Sequence, residues 1–249
     1  MAVLSLGFIP SVAHADHPLE PDLVTIKLRA SEMEIALDGK KTLLRLSNRV
    51  GNQGDGPLEI RPSTEFTDCD GDGEAEDELV GYQRVYEHSW TPGVDDSPST
   101  DTEVGCVIYH PQHSHWHVAS IARYSLFDEE TGDLTDGNKV GFCLLDSGRL
   151  DGGFMPGPYT NEGCGSPELF PTLTGISPGY FDLYGSSTPG QRINVSGLET
   201  GMYCLRSTAD PDSDLIESDT TNNVAEVQIR LNPARQVVKK LSRTCELGT

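Results

Sequence analysis

No apolar stretch of this chain runs far before Gly, Pro or Asn-rich turn chemistry interrupts it, and that punctuation is what most narrows its fold. Gly (26) and Pro (16) are too frequent for long helices and suit short strands joined by turns. The runs between turns read as strands: LVTIKLRA, TLLRLSNRVGNQG, GPLEIRP, GYQRVYE, HWHVASIARYSLFD, KVGFCLLD, QRINVSGLETGMYCLRSTAD divided by its Gly turn, and NNVAEVQIRL. HWHVASIARYSLFD is the longest, and EETGDLTDGN after it reads as a polar hairpin connection. Ser147 to Thr174 reads as one long loop. The expectation is an all-β, β-sandwich-like single domain with long loops and little helix.

A net charge of −21 disfavours nucleic acid and anionic membrane surfaces as partners, because both repel such a surface. The first residues carry a short apolar run and then Ala13-His14-Ala15, an A-x-A-like cleavage signal. Residues 1–15 are therefore expected to be a signal peptide, shortened because the usual Lys/Arg start is missing, with the functional domain at 16–249. No further apolar run is long enough to span a bilayer. Six cysteines without a C-x-x-C pair suit disulfides in an oxidising, extracellular setting, and their pairing stays open on the sequence alone. The tail RLNPARQVVKKLSR is basic against an acidic body and could dock back on it.

Four of the seven histidines crowd into HPQHSHWH. On a strand, His113, His115 and His117 would share one face. Three neutral imidazoles suit Cu, Zn, Fe or Ni, with Cu(II) or Zn(II) leading because no thiolate is near in sequence. The outer two would stand roughly 13 Å apart at ~3.3 Å per residue, so a bulge or twist must draw them together. A polar strand face is the plainer reading. His110, behind Pro111, is expected at the strand entrance.

The segment DCDGDGEAEDE opens like a calcium loop, with Asp68, Asp70 and Asp72 at the first, third and fifth positions, Gly73 at the sixth and Glu74 following. The twelfth position is Leu79 rather than Glu, so Glu78 or Asp77 would have to serve. The plainer reading is a solvated acidic loop.

Colinear segments then resemble one family. HSHWH leading into YSLFD resembles the copper-binding H-x-H-x-H segment of lysyl oxidases. EPDLV, GNKVGFCLLD, GISPGYFDLYG and ESDTTNN resemble further segments of that family, in its order, from about residue 20 to 231. The resemblance implies a secreted copper amine oxidase. His113, His115 and His117 would hold Cu(II), and lysine tyrosylquinone would be made from Lys139 and Tyr184. Primary amines, whether small or in lysine-containing peptides and proteins, would be oxidised to aldehydes by molecular oxygen, with hydrogen peroxide and ammonia released. Only a phenol gives the quinone and only a neutral amine adds to it, so a desolvated lysine is favoured. Asp182 matches the family pattern and is a candidate for proton handling. Asn138 departs from it, since mammalian members carry His before the lysine, and the interval to Tyr184 is longer than theirs.

The resemblance also implies Ca(II) at Asp22, the Leu23 carbonyl, Glu217, Asp219, Asn222 and Asn223, tying the first strand to the last. These are oxygen donors, although Asp and Asn favour turns in any case. It pairs Cys143 with Cys164. The same reading would join Cys69 to Cys106, with Cys204 and Cys245 left for each other. Two other readings compete with an oxidase. One is a calcium-stabilised, metal-binding extracellular module without turnover. The other is a zinc hydrolase, for which no Glu base stands beside the histidines.

Overall fold

The computed structural model describes residues 17–71, 73, 75–94, 97–153 and 155–245, with Asp136, Asn138 and Lys139 described by backbone alone. Its strands are β1 (Leu23–Thr25), β2 (Met33–Asp38), β3 (Lys41–Leu46), β4 (Asn48–Asn52), β5 (Leu58–Phe66), β6 (Glu78–Tyr86), β7 (Ser99–His110) and β8 (His115–Asp128). They continue as β9 (Leu134–Phe142), β10 (Gly148–Arg149), β11 (Thr174–Ile176), β12 (Tyr180–Tyr184), β13 (Arg192–Asn194), β14 (Gly201–Ala209), β15 (Val224–Asn232) and β16 (Val237–Lys240). Among the described residues the helical content is three short 3₁₀ turns, at Ala30–Glu32, Asn161–Cys164 and Pro233–Arg235. The protein is all-β.

A nine-stranded sheet runs β11-β5-β6-β7-β8-β14-β15-β16, with β9 also paired to β8. A four-stranded sheet runs β1-β4-β12-β10, and a three-stranded one β13-β3-β2. All pairings are antiparallel. One apolar cluster draws on all three sheets: Leu58, Val107, Ile121 and Leu126 from the largest, Leu23, Val50 and Tyr180 from the second, Leu44 and Ile193 from the third. Burying one face of each sheet against the others is what holds a sandwich together.

β8 covers the longest strand expected from the sequence, but it is buried beyond simple alternation: Trp116, His117 and Val118 are all buried. A central strand covered on both faces gives that pattern. Trp116 joins Tyr109, Phe66 and Phe170 on one side, with ring centroids 5.5–6.2 Å from its own. Downstream, Ser120 adopts a left-handed φ of 56° where the register with β9 shifts. This bulge begins three residues after His117 and re-aims the strand.

Several elements differ from the sequence reading. β9 starts at Leu134, inside the stretch read as a polar connection, because residues 134–138 pair with β8. β1 stops at Thr25, short of the LVTIKLRA run. β2, β7 and β12 are further strands beyond those read from the sequence: β7 opens on the polar stretch Ser99–Glu103, while β2 and β12 are short. The basic tail does fold back: β16 pairs with β15, and Cys204–Cys245 fastens it. The other disulfides are Cys69–Cys106 and Cys143–Cys164, with Cα separations of 5.8 and 5.6 Å.

Candidate metal centre and cleft

The histidine cluster is built by a hairpin rather than by one strand face. β7 ends at His110 and β8 begins at His115, directly opposite it in the ladder. The chain reverses between them through Ser114, whose φ is 59°. The carbonyl of His110 accepts from the backbone N–H of His113 at 3.0 Å and of Ser114 at 2.9 Å. His113 therefore reaches the cluster from the turn, while His115 and His117 project from β8. The alternation expected over all three holds only for the last two.

The ring nitrogens converge. Nδ1 of His113 and Nε2 of His115 each lie 3.0 Å from Nε2 of His117. Two nitrogens bound to one ion at about 2.0–2.1 Å are separated by roughly 3 Å, so this spacing suits a shared metal. All three rings are held neutral, as metal donors must be. Burial, reinforced by the neighbouring imidazoles, pushes His113 down to about 4 and His117 down to about 3. Burial also lowers His115. His117 is further oriented by a hydrogen bond to the Gly141 backbone. Gly141 makes that approach feasible, since a Cβ there would meet the Val118 carbonyl oxygen at 2.7 Å.

His110, expected at the strand entrance, belongs to the same cluster. Its ring stacks on His113 at 4.2 Å and on His117 at 4.8 Å. Its Nδ1 is buried without a partner.

Tyr184, at the end of β12 in the second sheet, faces this cluster edge-on, 6.2 Å from the His117 ring. Phe142 stacks on it at 4.1 Å. Its hydroxyl accepts from the Cys143 N–H at 2.8 Å and donates to the Cys143 carbonyl at 3.1 Å. Burial and the Asp182 carboxylate push the phenol upward. Asp182 is itself buried, with its carboxyl raised to about 8 by desolvation. Ser147 Oγ donates to Asp182 Oδ1 at 2.9 Å, and Oδ2 has no partner. A cleft of about 330 Å³ brings His113, His115, Asn161, Asp182, Tyr184 and Thr188 to one surface.

Lys139 lies in β9, in register with Arg123 and three residues before Phe142. Its side chain falls outside the described residues.

At the first calcium candidate, the structure brings together Asp22, Leu23, Glu217, Asn222 and Asn223. Asn222 Nδ2 donates to Asp22 Oδ1 at 2.7 Å, and Glu217 accepts from the Leu23 N–H at 3.0 Å and from Asn223 Nδ2 at 2.6 Å. Oδ1 of both asparagines is buried without a partner. The Asp219 carboxylate is engaged instead by the N–H and hydroxyl of Thr221. At the second, Asp68, Asp70 and Glu78 come within 4.8 Å of one another. Glu78 is buried and accepts from the Cys69 N–H at 2.9 Å, so it folds back over the loop. Asp72 and Glu74 lie outside the described residues.

The family model described as Lysyl oxidase matches residues 94–241. Protein-lysine 6-oxidase of Homo sapiens is 32% identical over 124 residues, which is 49% of this chain and 27% of that protein. Lysyl oxidase homolog 1 of Homo sapiens is 31% identical over 123 residues, 49% of this chain and 20% of that protein. Lysyl oxidase homolog 3A of Danio rerio is 28% identical over 211 residues, 84% of this chain and 21% of that protein. The matches thus span between a fifth and just over a quarter of these relatives' lengths.

Proposed function

Because the chain belongs to the lysyl oxidase family, we propose that it is a copper-dependent oxidase of primary amines, small or borne on lysine in peptides and proteins. The products would be an aldehyde, hydrogen peroxide and ammonia, with molecular oxygen as oxidant. The observation that carries this reading is the convergence of three neutral imidazoles at 3.0 Å spacing beside a buried tyrosine.

In this reading His113, His115 and His117 hold Cu(II), a donor set that suits it. Lysine tyrosylquinone, formed from Lys139 and Tyr184, supplies the electron sink that amine oxidation requires. The chain's own residues do the rest. Phe142 and the Cys143 backbone fix the Tyr184 ring and its oxygen before any chemistry begins. Asp182 handles the proton: its Oδ2 is unpartnered, and a carboxyl near 8 both takes and returns protons at neutral pH. The acidic surface attracts cationic amines.

We also assign Ca(II) to the Asp22–Glu217–Asn222–Asn223 junction and to the Asp68–Asp70–Glu78 loop, both rich in oxygen donors. Export with removal of residues 1–15, leaving 16–249 as the catalytic unit, accords with three disulfides. No helix among the described residues is long and apolar enough to cross a membrane.

The test is copper loading in air, peptide mass spectrometry for a Lys139–Tyr184 crosslink, and an assay for amine-dependent peroxide. A crosslink, with peroxide release that vanishes in Tyr184→Phe, supports the oxidase. Both peptides free and no peroxide from copper-loaded protein would leave the non-catalytic metal-binding module standing.

A further inference from the structure

We propose that the hairpin closing one edge of the large sheet, β15–β16, carries a binding site for a tetrahedral oxyanion, phosphate or sulfate, taken free or as a small monoester. The site stands apart from the histidine cluster and does not rest on the copper reading.

The tail from Arg230 to Arg243 holds Arg230, Arg235, Lys239, Lys240 and Arg243 and no acidic residue, in a chain of net charge −21. Folding gathers three of these cations. Arg230 in β15 lies directly across the ladder from Lys239 in β16, so both stand on one face of the hairpin. Asn232 follows two residues later on the same face, and Arg235 sits in the 3₁₀ turn that joins the strands. Asn232 Oδ1 accepts from the Arg235 N–H at 3.0 Å, which fixes that turn. The Cys204–Cys245 bond fastens the end of the tail to β14. A cleft of about 360 Å³ collects Thr200, Arg230, Asn232, Arg235, Val237 and Lys239.

Charge pairing elsewhere sets this cluster apart. Arg49, Arg84, Arg149 and Arg206 each meet a carboxylate. Among the described residues no ion pair engages Arg230, Arg235 or Lys239, and no carboxylate lines the cleft. Three cations held together repel one another until an anion joins them. Two guanidinium forks beside an ammonium match a tetrahedral oxyanion, which takes paired N–H donors from arginine and a point charge from lysine. The cleft lies toward the low end of the roughly 300–1,000 Å³ of small-molecule sites, which leaves room for an ester. A long polyanion is disfavoured, because it would run past the cleft onto the acidic body. A compact ion stays within about one Debye length, ~8–10 Å, of the cations that hold it.

The experiment titrates the full chain with inorganic phosphate, inorganic sulfate and glycerol phosphate at constant ionic strength set with sodium chloride, followed by calorimetry and phosphorus NMR. The proteins are wild type, Arg230→Gln, Arg235→Gln, Arg230→Lys and the control Lys27→Gln, each checked for folding by circular dichroism. All the substituted residues are exposed, so the variants should stay folded.

Saturable oxyanion binding is expected in wild type and in the control. It should weaken about tenfold or more in Arg230→Gln and Arg235→Gln, as the loss of a charge-assisted pair implies. Arg230→Lys keeps the charge without the fork and should fall between. Tighter binding of glycerol phosphate than of phosphate would identify an ester as the ligand, and equal binding a free ion. A response in wild type that does not saturate, or glutamine variants that bind as wild type does, would overturn the site.

Discussion

The hydroxyl of Tyr184 is clasped at both ends by one residue, accepting from the N–H of Cys143 and donating to its carbonyl. Because Cys143 is bonded to Cys164, that clasp ties a strand of the second sheet to the disulfide-anchored loop flanking the cleft. Tyr184→Phe keeps the stacking on Phe142 but leaves two part-buried backbone groups unpaired. The expected cost is about 1–3 kcal/mol in urea denaturation, with copper binding retained and the crosslinked peptide absent. A variant that still yields the crosslink or peroxide would exclude Tyr184 as the redox side chain.

The histidines set a floor to metal binding. His113 and His117 protonate at about 4 and about 3, well below an unfolded histidine near 6.5. Copper affinity is therefore expected to persist below the pH at which a free histidine protonates and to fall steeply as these rings take up protons. The sign for the metal-free fold follows by linkage. The unfolded chain binds protons first as pH falls, so stability is lost from about 6.5 down to these folded values. His117→Leu, which cannot titrate, should flatten that part of the profile.

Asp182 acts in the opposite sense. Its folded carboxyl sits at about 8, above the unfolded value near 3.9, so the folded state holds the proton more tightly. Its contribution is fully present below about 4 and is lost as pH rises toward 8. The stability of Asp182→Asn relative to wild type should increase across that window, as read from denaturation midpoints at stepped pH. A constant difference would mean that the carboxyl is already ionised. Amine oxidation should fall at least a hundredfold in the same variant if the proton passes through this group.

A second buried carboxylate should prove structural. Glu59 accepts from Tyr86 at 2.9 Å, Tyr159 at 2.6 Å and Arg61 at 2.8 Å. Tyr159 lies in the long segment after Ser147, so these bonds pin that segment to β5. Glu59→Leu would remove the buried acceptor that two phenols and a guanidinium share, at a cost of about 3–5 kcal/mol. Tyr159→Phe should cost about 1–3 kcal/mol. Both are measurable by chemical denaturation.

Gly141→Ala probes the packing of β9 on β8. The added methyl would press on the Val118 carbonyl beside His117, with about 1–3 kcal/mol of destabilisation expected. Copper affinity should fall with it, because shifting β9 displaces the Gly141 backbone that orients the His117 ring.

The sequence was most legible where local chemistry decides the outcome. β8 could be bounded from its apolar run, and the turn-rich texture pointed to an all-β protein. The crowding of histidines pointed to a shared cluster, and the rings do converge, but its construction did not show. His113 joins through a four-residue reversal with a left-handed Ser114, and periodicity carries no information about such a turn. His110 does stand at the entrance to β8, but only the cross-strand pairing with His115 reveals that its ring joins the cluster. Asp182 and Tyr184 were named by resemblance, whereas Ser147, Phe142 and the Cys143 backbone became visible only through long-range packing. β7 escaped notice because its exposed half, Ser99–Glu103, reads as a polar loop.

The hairpin that gathers the histidines has a temporal implication. All of its ring nitrogens come from eight consecutive residues, so closing it costs little chain entropy. Tyr184 and Asp182, by contrast, arrive from some seventy positions downstream and from another sheet, and such distant pairings form slowly. A nascent chain thus gathers its histidines well before it possesses the chamber around them, and any ion they take would be captured early and enclosed by the later sheet.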